Sequence, residues 1–394
     1  MAEQDYIVKR NMNQHPLWSG KAPRLSKLDI ELTERCNNAC LHCYINLPEN
    51  DSQARNRELT TLEWKDILRQ AAELGALSVR FTGGEPLLRE DFAELYLFTR
   101  RLGIKVQLFT NGRLITAELA DLFTRIPPLE KIEITVYGMH PESYDIVACA
   151  PGAYAEFRQG VQRLLERSIP FIVKGALMPQ NQVDVAEFEA WAASLPWMDT
   201  PPGYSMFFDL RGRRDSSARN HLINRLRVAP QEGLVLLTRD GKSYLKEMNQ
   251  FCKGFMGPSG ERLFDCGAGL GGCVDAYGRY QPCMLLRDPQ LSYDLRLGCL
   301  QDALENFFPE IRQITATNPE YLERCAICFL HGLCEQCPGK SWSEHGTLDT
   351  PVEYQCQVAH AQAVYLGLLQ PGEKAWEVLD WQERLKNIKT DLEE

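Results

Sequence analysis

The segment KLDIELTERCNNACLHCY, residues 27–44, decides the fold. Residues 27–33 form a short apolar strand candidate, and directly after it comes a loop that carries Cys36, Cys40 and Cys43 in a C-x3-C-x2-C array. Three thiolates would bind three irons of a cubane cluster and leave the fourth iron open. A tetrahedral zinc site is the alternative, because His42 would supply the fourth ligand that zinc requires.

Outward from this segment, short apolar stretches alternate with longer amphipathic ones, the pattern of repeated βα units around a parallel sheet. The predicted strands are 27–33, 77–81, 104–109, 130–136, 170–177 and 204–210. Six such units predict an α/β fold, a partial (β/α)6 TIM-like barrel. Enzymes built in this way carry their chemistry at the carboxyl ends of the strands.

Capping signals support this assignment of helices and turns. Thr60 and Glu63 form a Thr-x-x-Glu capping box, which predicts a helix that begins there. One face of this helix would be apolar, with Trp64, Ile67, Leu68 and Ala71. A second helix over 90–102 is expected to end at Gly103, and Asn111-Gly112 predicts a turn after the third strand.

Composition limits the class of protein. The chain has 394 residues, of which 44% are hydrophobic and 24% charged, values typical of a globular protein. The formal charge of −10 argues against an extended phosphate-binding surface, so nucleic acid is not an expected partner. No apolar run approaches the roughly 20 residues that cross a bilayer, and the N-terminus lacks a secretory signal. We therefore expect a cytoplasmic protein with no membrane partner.

Fourteen cysteines in such a chain indicate metal binding, because cytosolic thiols rarely form structural disulfides. Three lie in the first loop, Cys149 stands alone, and ten lie between Cys252 and Cys356. From about residue 255 glycines become frequent and the helical period fades. A second, metal-stabilised domain is predicted there.

A second motif lies at the end of the second predicted strand, Thr82-Gly83-Gly84-Glu85-Pro86. Its paired glycines would let a ligand approach the backbone. The carboxylate of Glu85 is expected to face the same rim as the cysteine loop.

Together, these two loops resemble the radical S-adenosylmethionine (radical SAM) superfamily over roughly residues 27–210. The resemblance implies a 4Fe–4S cluster whose open iron binds S-adenosylmethionine, and reductive cleavage of that molecule to a 5′-deoxyadenosyl radical. It also implies that the Gly-Gly-Glu loop receives the methionine amino group. Here His42 occupies a position that is usually aromatic. The cofactor-binding residues implied are His42, Gly83, Gly84, Glu85, Pro86 and Thr135.

Three further charged residues near strand ends, Lys174, Asp209 and Arg211, are candidates to face the cavity. The sequence names no catalytic acid or base.

The later cysteines suit two four-thiolate clusters, or alternatively two zinc ribbons with the same number of ligands. Their order resembles the SPASM domain found behind radical SAM barrels, although Cys334-x2-Cys337 is one residue short of the usual spacing. The resemblance implies an auxiliary cluster I at Cys266, Cys273, Cys283 and Cys337. It implies an auxiliary cluster II at Cys325, Cys328, Cys334 and Cys356. For the unmatched Cys149, Cys252 and Cys299, a small buried residue is expected.

The expected domain bounds are a 1–26 N-terminal extension, a 27–235 barrel, a 236–262 bridging segment, a 263–360 SPASM domain and a 361–394 helical tail. Three 4Fe–4S clusters are expected in all. Only 35 residues precede Cys36, fewer than the leader-binding domain that many peptide-modifying relatives carry. A separate leader-binding protein is therefore an expected partner, besides a flavodoxin- or ferredoxin-type electron donor.

SPASM-bearing relatives mostly modify ribosomally made peptides (RiPPs) or proteins by oxidation, crosslinking or thioether formation. The sequence therefore favours a radical SAM oxidoreductase or maturase of this kind. The alternative is an enzyme that oxidises or rearranges a small molecule of the aminocyclitol or tetrapyrrole type. A third possibility is a non-enzymatic iron–sulfur carrier or zinc scaffold, against which the Gly-Gly-Glu-Pro loop argues.

Overall fold

A parallel sheet and the helices that follow its strands dominate the structure, a computed structural model that describes residues 24–334 and 337–388. Most of the predicted N-terminal extension and the last six residues of the tail therefore lie outside the described residues. The strands are β1 Lys27–Thr33, β2 Arg35–Cys36, β3 Leu47–Pro48, β4 Ser78–Gly83, β5 Lys105–Thr110, β6 Ile132–Val136, β7 Phe171–Ala176, β8 Tyr204–Ser205, β9 Cys273–Val274, β10 Arg279–Gln281 and β11 Tyr293–Asp294.

The helices of the first half are α1 Ser52–Arg57, α2 Thr61–Glu73, α3 Phe92–Arg101, α4 Ala117–Arg125, α5 Pro141–Ala148, α6 Ala153–Glu166, α7 Val185–Ala193 and α8 Ser217–Leu226. Those of the second half are α9 Pro230–Leu237, α10 Gly241–Phe255, α11 Leu300–Asp302, α12 Phe308–Ile311, α13 His331–Cys334, α14 Pro338–His345, α15 Glu353–Tyr365 and α16 Trp381–Lys386. In the described part of the chain, no helix combines the length and the apolar character needed to span a membrane.

The six predicted barrel strands are confirmed as β1, β4, β5, β6, β7 and β8, which pair in this order and all in parallel. One boundary was wrong, since the last strand was expected over 204–210 and covers only Tyr204–Ser205. Its neighbour β7 ends at Ala176, which pairs with Ser205, so the backbone beyond Ser205 has no partner strand. The fold is therefore α/β, with the open parallel sheet of an incomplete barrel.

The capping signals are confirmed in the geometry. Thr60 caps α2 with the complete capping box, and the four predicted apolar residues of α2 are all buried. Gly103 and Gly112 have φ values of 73° and 80°, in the left-handed region that favours glycine. Helix α3 therefore ends, and the chain turns after β5, where the sequence predicts.

The glycine-rich region after residue 255 continues the barrel sheet. Strand β9 pairs in parallel with β1, and β10 and β11 extend the sheet antiparallel beyond it. One apolar core runs from the barrel into residues 263–326. A second core joins α10 to residues of α15 and the C-terminal segment. The second region, residues 263–388, is thus joined to the barrel through strand β1 and through this shared core.

A buried charge network reinforces this junction. Glu31 on β1 and Arg287 of the second region form an ion pair in which neither side chain is exposed. Arg287 Nη1 lies 3.5 Å from Glu34 Oε1. Arg213 bridges Glu34 and Asp275, with N–O distances of 2.6 and 2.7 Å. Buried charges are tolerated only when they are paired, so this network fixes the second region against the end of β1.

Replacing Arg287 by methionine would leave Glu31 buried without its main partner. Removal of one member of a buried ion pair costs about 3–5 kcal/mol, and we expect the free energy of unfolding to fall by that amount in anaerobic denaturant titrations. The control is Arg55→Met, which breaks an exposed pair with Glu90 and should cost at most about 1 kcal/mol. Equal losses in the two variants would contradict the role of the network.

Candidate active site

A cavity of about 540 Å³ lies at the carboxyl ends of the parallel strands. The strand ends contribute Thr82, Thr110, Thr135, Ala176 and Ser205 to its wall. The second region contributes Met284, Leu333, Lys340, Gln355, Val358 and Gln362. The cavity is therefore enclosed between the barrel and the second region, at the edge where barrel enzymes of this architecture place their chemistry.

All three cysteines of the first loop line this cavity. Burial raises the pKa of Cys36, and it raises that of Cys40 to about 12; neighbouring thiols of the loop contribute to both shifts. The loop is held by backbone hydrogen bonds from Ala39 N to Ala148 O (2.8 Å) and from Leu41 N to Val147 O (3.1 Å). Three thiols, of which Cys40 is buried and the other two half-buried, are thus gathered at one rim, an arrangement that fits a cluster which stabilises thiolates.

The paired glycines also line the cavity, and the structure gives a second reason for them. A Cβ atom on Gly83 would lie 2.1 Å from Thr33 O, and one on Gly84 would lie 2.2 Å from Arg35 O. Gly83 also has a φ of 130°. The loop after β4 therefore packs directly on the backbone that leads into the cysteine loop, and this contact requires glycine.

Glu85 does not face the rim as expected. Its side chain is fully buried, and its carboxylate accepts hydrogen bonds from Thr110 Oγ1 (2.8 Å), Asn111 N (2.8 Å) and Leu87 N (3.1 Å). Burial raises the pKa of Glu85 to about 7, against the opposing effect of these hydrogen bonds. The carboxylate is turned inward because three donors of neighbouring loops converge on it. Glu85 thus positions the loop, and Pro86, also buried, begins the short 3₁₀ turn after it.

His42 and Thr135 both lie in the cavity wall. The His42 ring is 4.7 Å from the ring of Phe208, and its Nδ1 atom is buried without a hydrogen-bond partner. Burial, with a contribution from Arg219, lowers the pKa of His42 to about 4, so the imidazole is neutral at neutral pH. A neutral ring in an aromatic group, with one unused nitrogen, suits contact with a nucleotide base.

Two of the three charged candidates, Lys174 and Asp209, line the cavity. Lys174 forms an ion pair with Glu133 and lies over the ring of Phe109. Arg211 does not face the cavity as expected. It is buried in an ion pair with Asp215, because that carboxylate, four residues further along the chain, offers it a bidentate partner.

The four cysteines predicted to hold auxiliary cluster II lie close together. Its members Cys325, Cys328, Cys334 and Cys356 line one small cavity. The pKa of Cys334 is well above its usual value, first through burial and then through the other three thiols. Arg324 Nη2 lies 3.9 Å from Cys356 Sγ. Four neighbouring half-buried thiols beside a cation fit an anionic four-thiolate cluster.

Of the four cysteines predicted to hold auxiliary cluster I, three lie near one another. Burial raises the pKa values of Cys337 and Cys283, with a further contribution from Cys283 to the shift of Cys337 and a smaller one from Cys266 to that of Cys283, so these three thiols lie near one another. Cys273 is fully buried on β9, and the charges that act on it most strongly are Glu31 and Arg287. Its place among the cluster ligands stays a prediction.

Of the three unmatched cysteines, Cys252 is buried as expected, whereas Cys299 is half-buried. For Cys149 the expectation was wrong: it is exposed, because it occupies the left-handed cap position at the end of α5. Among the described residues, no three histidine, cysteine, aspartate or glutamate side chains are grouped to hold one metal ion. A cubane cluster differs from a single ion in that each of its irons binds a separate thiolate.

Lys340 and Gln355 are among the polar cavity residues that sequence reasoning missed. A signal was present in each case, since Lys340 lies three residues after Cys337 and Gln355 directly precedes Cys356. Side chains that neighbour predicted cluster ligands in sequence lie in the same part of the fold as those ligands.

Comparison with known proteins shows what the chain is similar to. Residues 30–192 match the family model of the Radical SAM superfamily. The matched segment contains both the cysteine loop and the Gly-Gly-Glu-Pro loop. The chain is 26% identical over 344 residues to the AdoMet-dependent heme synthase of Methanosarcina barkeri, covering 82% of this chain and 94% of that protein. It is 31% identical over 159 residues to the PqqA peptide cyclase of Xanthomonas axonopodis, covering 40% of this chain and 41% of that protein.

Solved structures share the fold. The structure of anSMEcpe with bound AdoMet matches with a TM-score of 0.60 at 15% identity, over 86% of this chain and 96% of that one. Streptococcus suis SuiB bound to the precursor peptide SuiA matches with a TM-score of 0.58 at 16% identity, over 82% of this chain and 74% of that one. The likeness extends beyond the barrel into the second region.

The glycine contacts give a direct test. In Gly84→Ala the new Cβ would collide with the backbone at Arg35, and overpacking of this kind costs about 1–3 kcal/mol. We expect a lower unfolding midpoint, together with a lower iron content after anaerobic reconstitution. Gly254→Ala is the matched control, since nothing lies within 4 Å of its Cβ. Normal iron content and stability in Gly84→Ala would contradict the packing role.

Proposed function

We propose that this protein is a radical SAM oxidoreductase or maturase that modifies a ribosomally made peptide or protein. The observation that carries the proposal is the cavity between the barrel and the second region, with the three-cysteine loop on one side and helices α13 to α15 on the other. A cavity of about 540 Å³ suits S-adenosylmethionine together with one substrate side chain. An extended peptide would insert one side chain into this cavity, while its backbone stayed outside the cavity.

In this proposal Cys36, Cys40 and Cys43 hold a 4Fe–4S cluster that leaves one iron open for S-adenosylmethionine. When bound and reduced, this pair supplies a 5′-deoxyadenosyl radical that abstracts hydrogen from the substrate. The chain's own contribution is to bind and to shield. The backbone of Gly83 and Gly84 borders the cavity, and the second region limits the access of water. A carbon radical requires such shielding.

His42 and Thr135 are proposed to contact the nucleotide. Both lie in the wall of the same cavity as the three cysteines, and the ring of His42 is neutral. Glu85 and Pro86 contribute indirectly in this proposal, since they fix the loop that carries the two glycines.

We assign the later cysteines to two auxiliary clusters in a SPASM domain over residues 263–360, behind a barrel domain over 27–235. Cluster II would be held by the four cysteines that line the small cavity. Cluster I would be held by Cys266, Cys273, Cys283 and Cys337. Clusters ligated only by cysteine have no site for substrate, so their proposed role is to accept the electron left after hydrogen abstraction.

Two comparisons support a peptide substrate. A stretch of 159 residues is 31% identical to a PqqA peptide cyclase, and the fold is similar to that of SuiB, which was solved with its precursor peptide SuiA. Proposed partners are a flavodoxin- or ferredoxin-type electron donor and a separate leader-binding protein. The proposed location is the cytoplasm, where such donors are found.

A second candidate is a tetrapyrrole-modifying enzyme, favoured by one observation. The similarity to the heme synthase of Methanosarcina barkeri covers 94% of that protein, whereas the similarity to the peptide cyclase covers 41% of its length. In this case a tetrapyrrole would present a peripheral side chain to the cavity in place of a peptide side chain.

Anaerobic turnover separates the two candidates. The reconstituted protein, S-adenosylmethionine and a reductant are incubated with a short peptide encoded beside the gene, or with an iron coproporphyrin. Mass spectrometry then follows the substrate and 5′-deoxyadenosine together. A mass change in the peptide that matches 5′-deoxyadenosine formation supports the proposal. A change in the tetrapyrrole alone would overturn it in favour of the second candidate.

Variants in the two cysteine regions should have different effects on the reaction. We expect Cys40→Ala to abolish 5′-deoxyadenosine formation, because only the first cluster has an open iron. Cys328→Ala should retain uncoupled cleavage but yield no modified substrate. Iron content, expected to be about twelve per chain in the wild type with three clusters, should fall by about four in each variant. Equal loss of cleavage in two folded variants would contradict this division.

A further inference from the structure

The small cavity lined by the four cysteines of the proposed cluster II also has nitrogen-bearing side chains in its wall. Arg324, His360 and Trp376 line this cavity together with the thiols. The guanidinium carbon of Arg324 lies 4.7 Å from the ring centroid of Trp376. The rings of His360 and Trp376 are 5.6 Å apart, centroid to centroid, in an edge-on arrangement. Trp376 thus packs against both a guanidinium group and an imidazole beside the cysteines.

The position of the proton on His360 follows from its hydrogen-bond partners. Its Nε2 atom lies 3.2 Å from the backbone nitrogen of Ala375 and accepts the N–H of that residue. A ring nitrogen that accepts carries no proton, so the proton of the neutral imidazole is on Nδ1. This Nδ1 atom lies 2.8 Å from the carbonyl oxygen and 3.6 Å from the Sγ atom of Cys356. His360 therefore donates its N–H toward Cys356.

Arg324 approaches the same sulfur from a part of the chain 32 residues before it. Its Nη2 atom donates toward Cys356 Sγ at a distance of 3.9 Å. Its Nη1 atom lies 2.7 Å from Glu353 Oε1 and also pairs with Glu320. The charge of Arg324 is thus balanced by carboxylates, which hold the guanidinium group with Nη2 directed at the sulfur. Two N–H donors from different elements converge on one of the four thiols.

Donors directed at a ligand sulfur change how readily an iron–sulfur cluster takes up an electron. Reduction adds one negative charge, and hydrogen bonds to the sulfurs are among the factors that set the reduction potential. A hydrogen bond to an ionised acceptor is stronger than one to a neutral acceptor, so the donors stabilise the more negative, reduced form. Two such donors on Cys356 would therefore raise the reduction potential.

We propose that His360 and Arg324 are positioning residues that raise the reduction potential of cluster II through hydrogen bonds to Cys356. This inference rests on the proposed function and deepens it, since it names side chains that suit one auxiliary cluster to accept an electron. On losing this electron, the substrate radical would release one proton to water. The electron would then pass from cluster II to the flavodoxin- or ferredoxin-type partner.

A purely structural role is the competing explanation. His360 joins α15 to the short turn Ala375–Glu377, so its replacement would also weaken the attachment of this segment. Such a role predicts a lower unfolding midpoint with an unchanged reduction potential. Both quantities are therefore measured on every variant.

The test is a potentiometric titration of the full, anaerobically reconstituted protein, followed by electron paramagnetic resonance. The signal of cluster II is identified as the one that is missing from Cys328→Ala. In His360→Leu, which lacks the ring donor, we expect the equilibrium constant for reduction of cluster II to fall about tenfold. For one electron this is a shift of about 59 mV to lower potential. Arg324→Met should shift the potential in the same direction.

Two control variants accompany these measurements. His360→Asn keeps an N–H group near the position of Nδ1 and should retain most of the wild-type potential. His345→Leu replaces an exposed histidine at the end of α14 and should change neither the potential nor the unfolding midpoint. The potentials of the other two clusters should stay constant in all four variants.

An unchanged cluster II potential in His360→Leu or in Arg324→Met overturns the inference. Equal shifts of all three clusters would do the same, as would a His360→Asn variant whose potential falls as far as that of His360→Leu. Loss of cluster II from both His360→Leu and Arg324→Met would also overturn it, because these side chains would then serve assembly of the cluster.

Formation of 5′-deoxyadenosine by the wild type is assayed in the same samples. Its absence, or a wild-type spectrum in which no signal depends on Cys328, would count against the proposed function. Its presence together with an unchanged cluster II potential in the variants would count against this inference alone.

Discussion

The ion pair between Glu31 and Arg287 joins two parts of the chain that are 256 residues apart in sequence, and it does so without any exposure to solvent. Glu31 belongs to β1, the strand that pairs with β4 on one side and with β9 of the second region on the other. Water cannot compensate the charge of either partner. The second region is therefore held at one place on the barrel, and the main cavity exists because it is held there.

The same strand determines the position of the chemistry. The chain leaves β1 directly into the cysteine loop, and the loop after β4 packs on it so closely that Gly83 and Gly84 have no space for a side chain. Glu85 then ties the loop to Thr110 and Asn111 at the end of β5. Three strand ends are thus fixed relative to one another, and the last residues of α5 hold the cysteine loop through two backbone hydrogen bonds.

Much of this arrangement was predictable from local sequence signals. The parallel strands, the capping box at Thr60 and the turn at Gly112 depend on neighbouring residues, so they were predicted within a few positions. The cysteine loop and its cavity followed from the order of strands, because the carboxyl ends of parallel strands lie at one edge. The group of four later cysteines was predicted through resemblance to a known domain.

The features that were not predicted depend on contacts between residues that are distant in sequence. No local sequence pattern indicates such contacts. Nothing in the sequence near Glu31 indicates Arg287 as its partner, or β9 as the neighbour of β1. The inward orientation of Glu85 depends on three donors from two loops, and a carboxylate after two glycines appeared free to face the rim. Lys340 and Gln355 became recognisable as cavity residues only when the helices that carry them were placed.

In the proposed enzyme, S-adenosylmethionine binds to a cluster held by the first three cysteines, within the cavity closed by the second region. Electron–nuclear double resonance of the reduced protein, with nitrogen-15 in the amino group of S-adenosylmethionine, detects this binding. We expect a nitrogen coupling to a cluster that persists when Cys328 is replaced by alanine and disappears when Cys40 is replaced. Bound S-adenosylmethionine without such a coupling, or a coupling that survives in Cys40→Ala, would contradict this proposal.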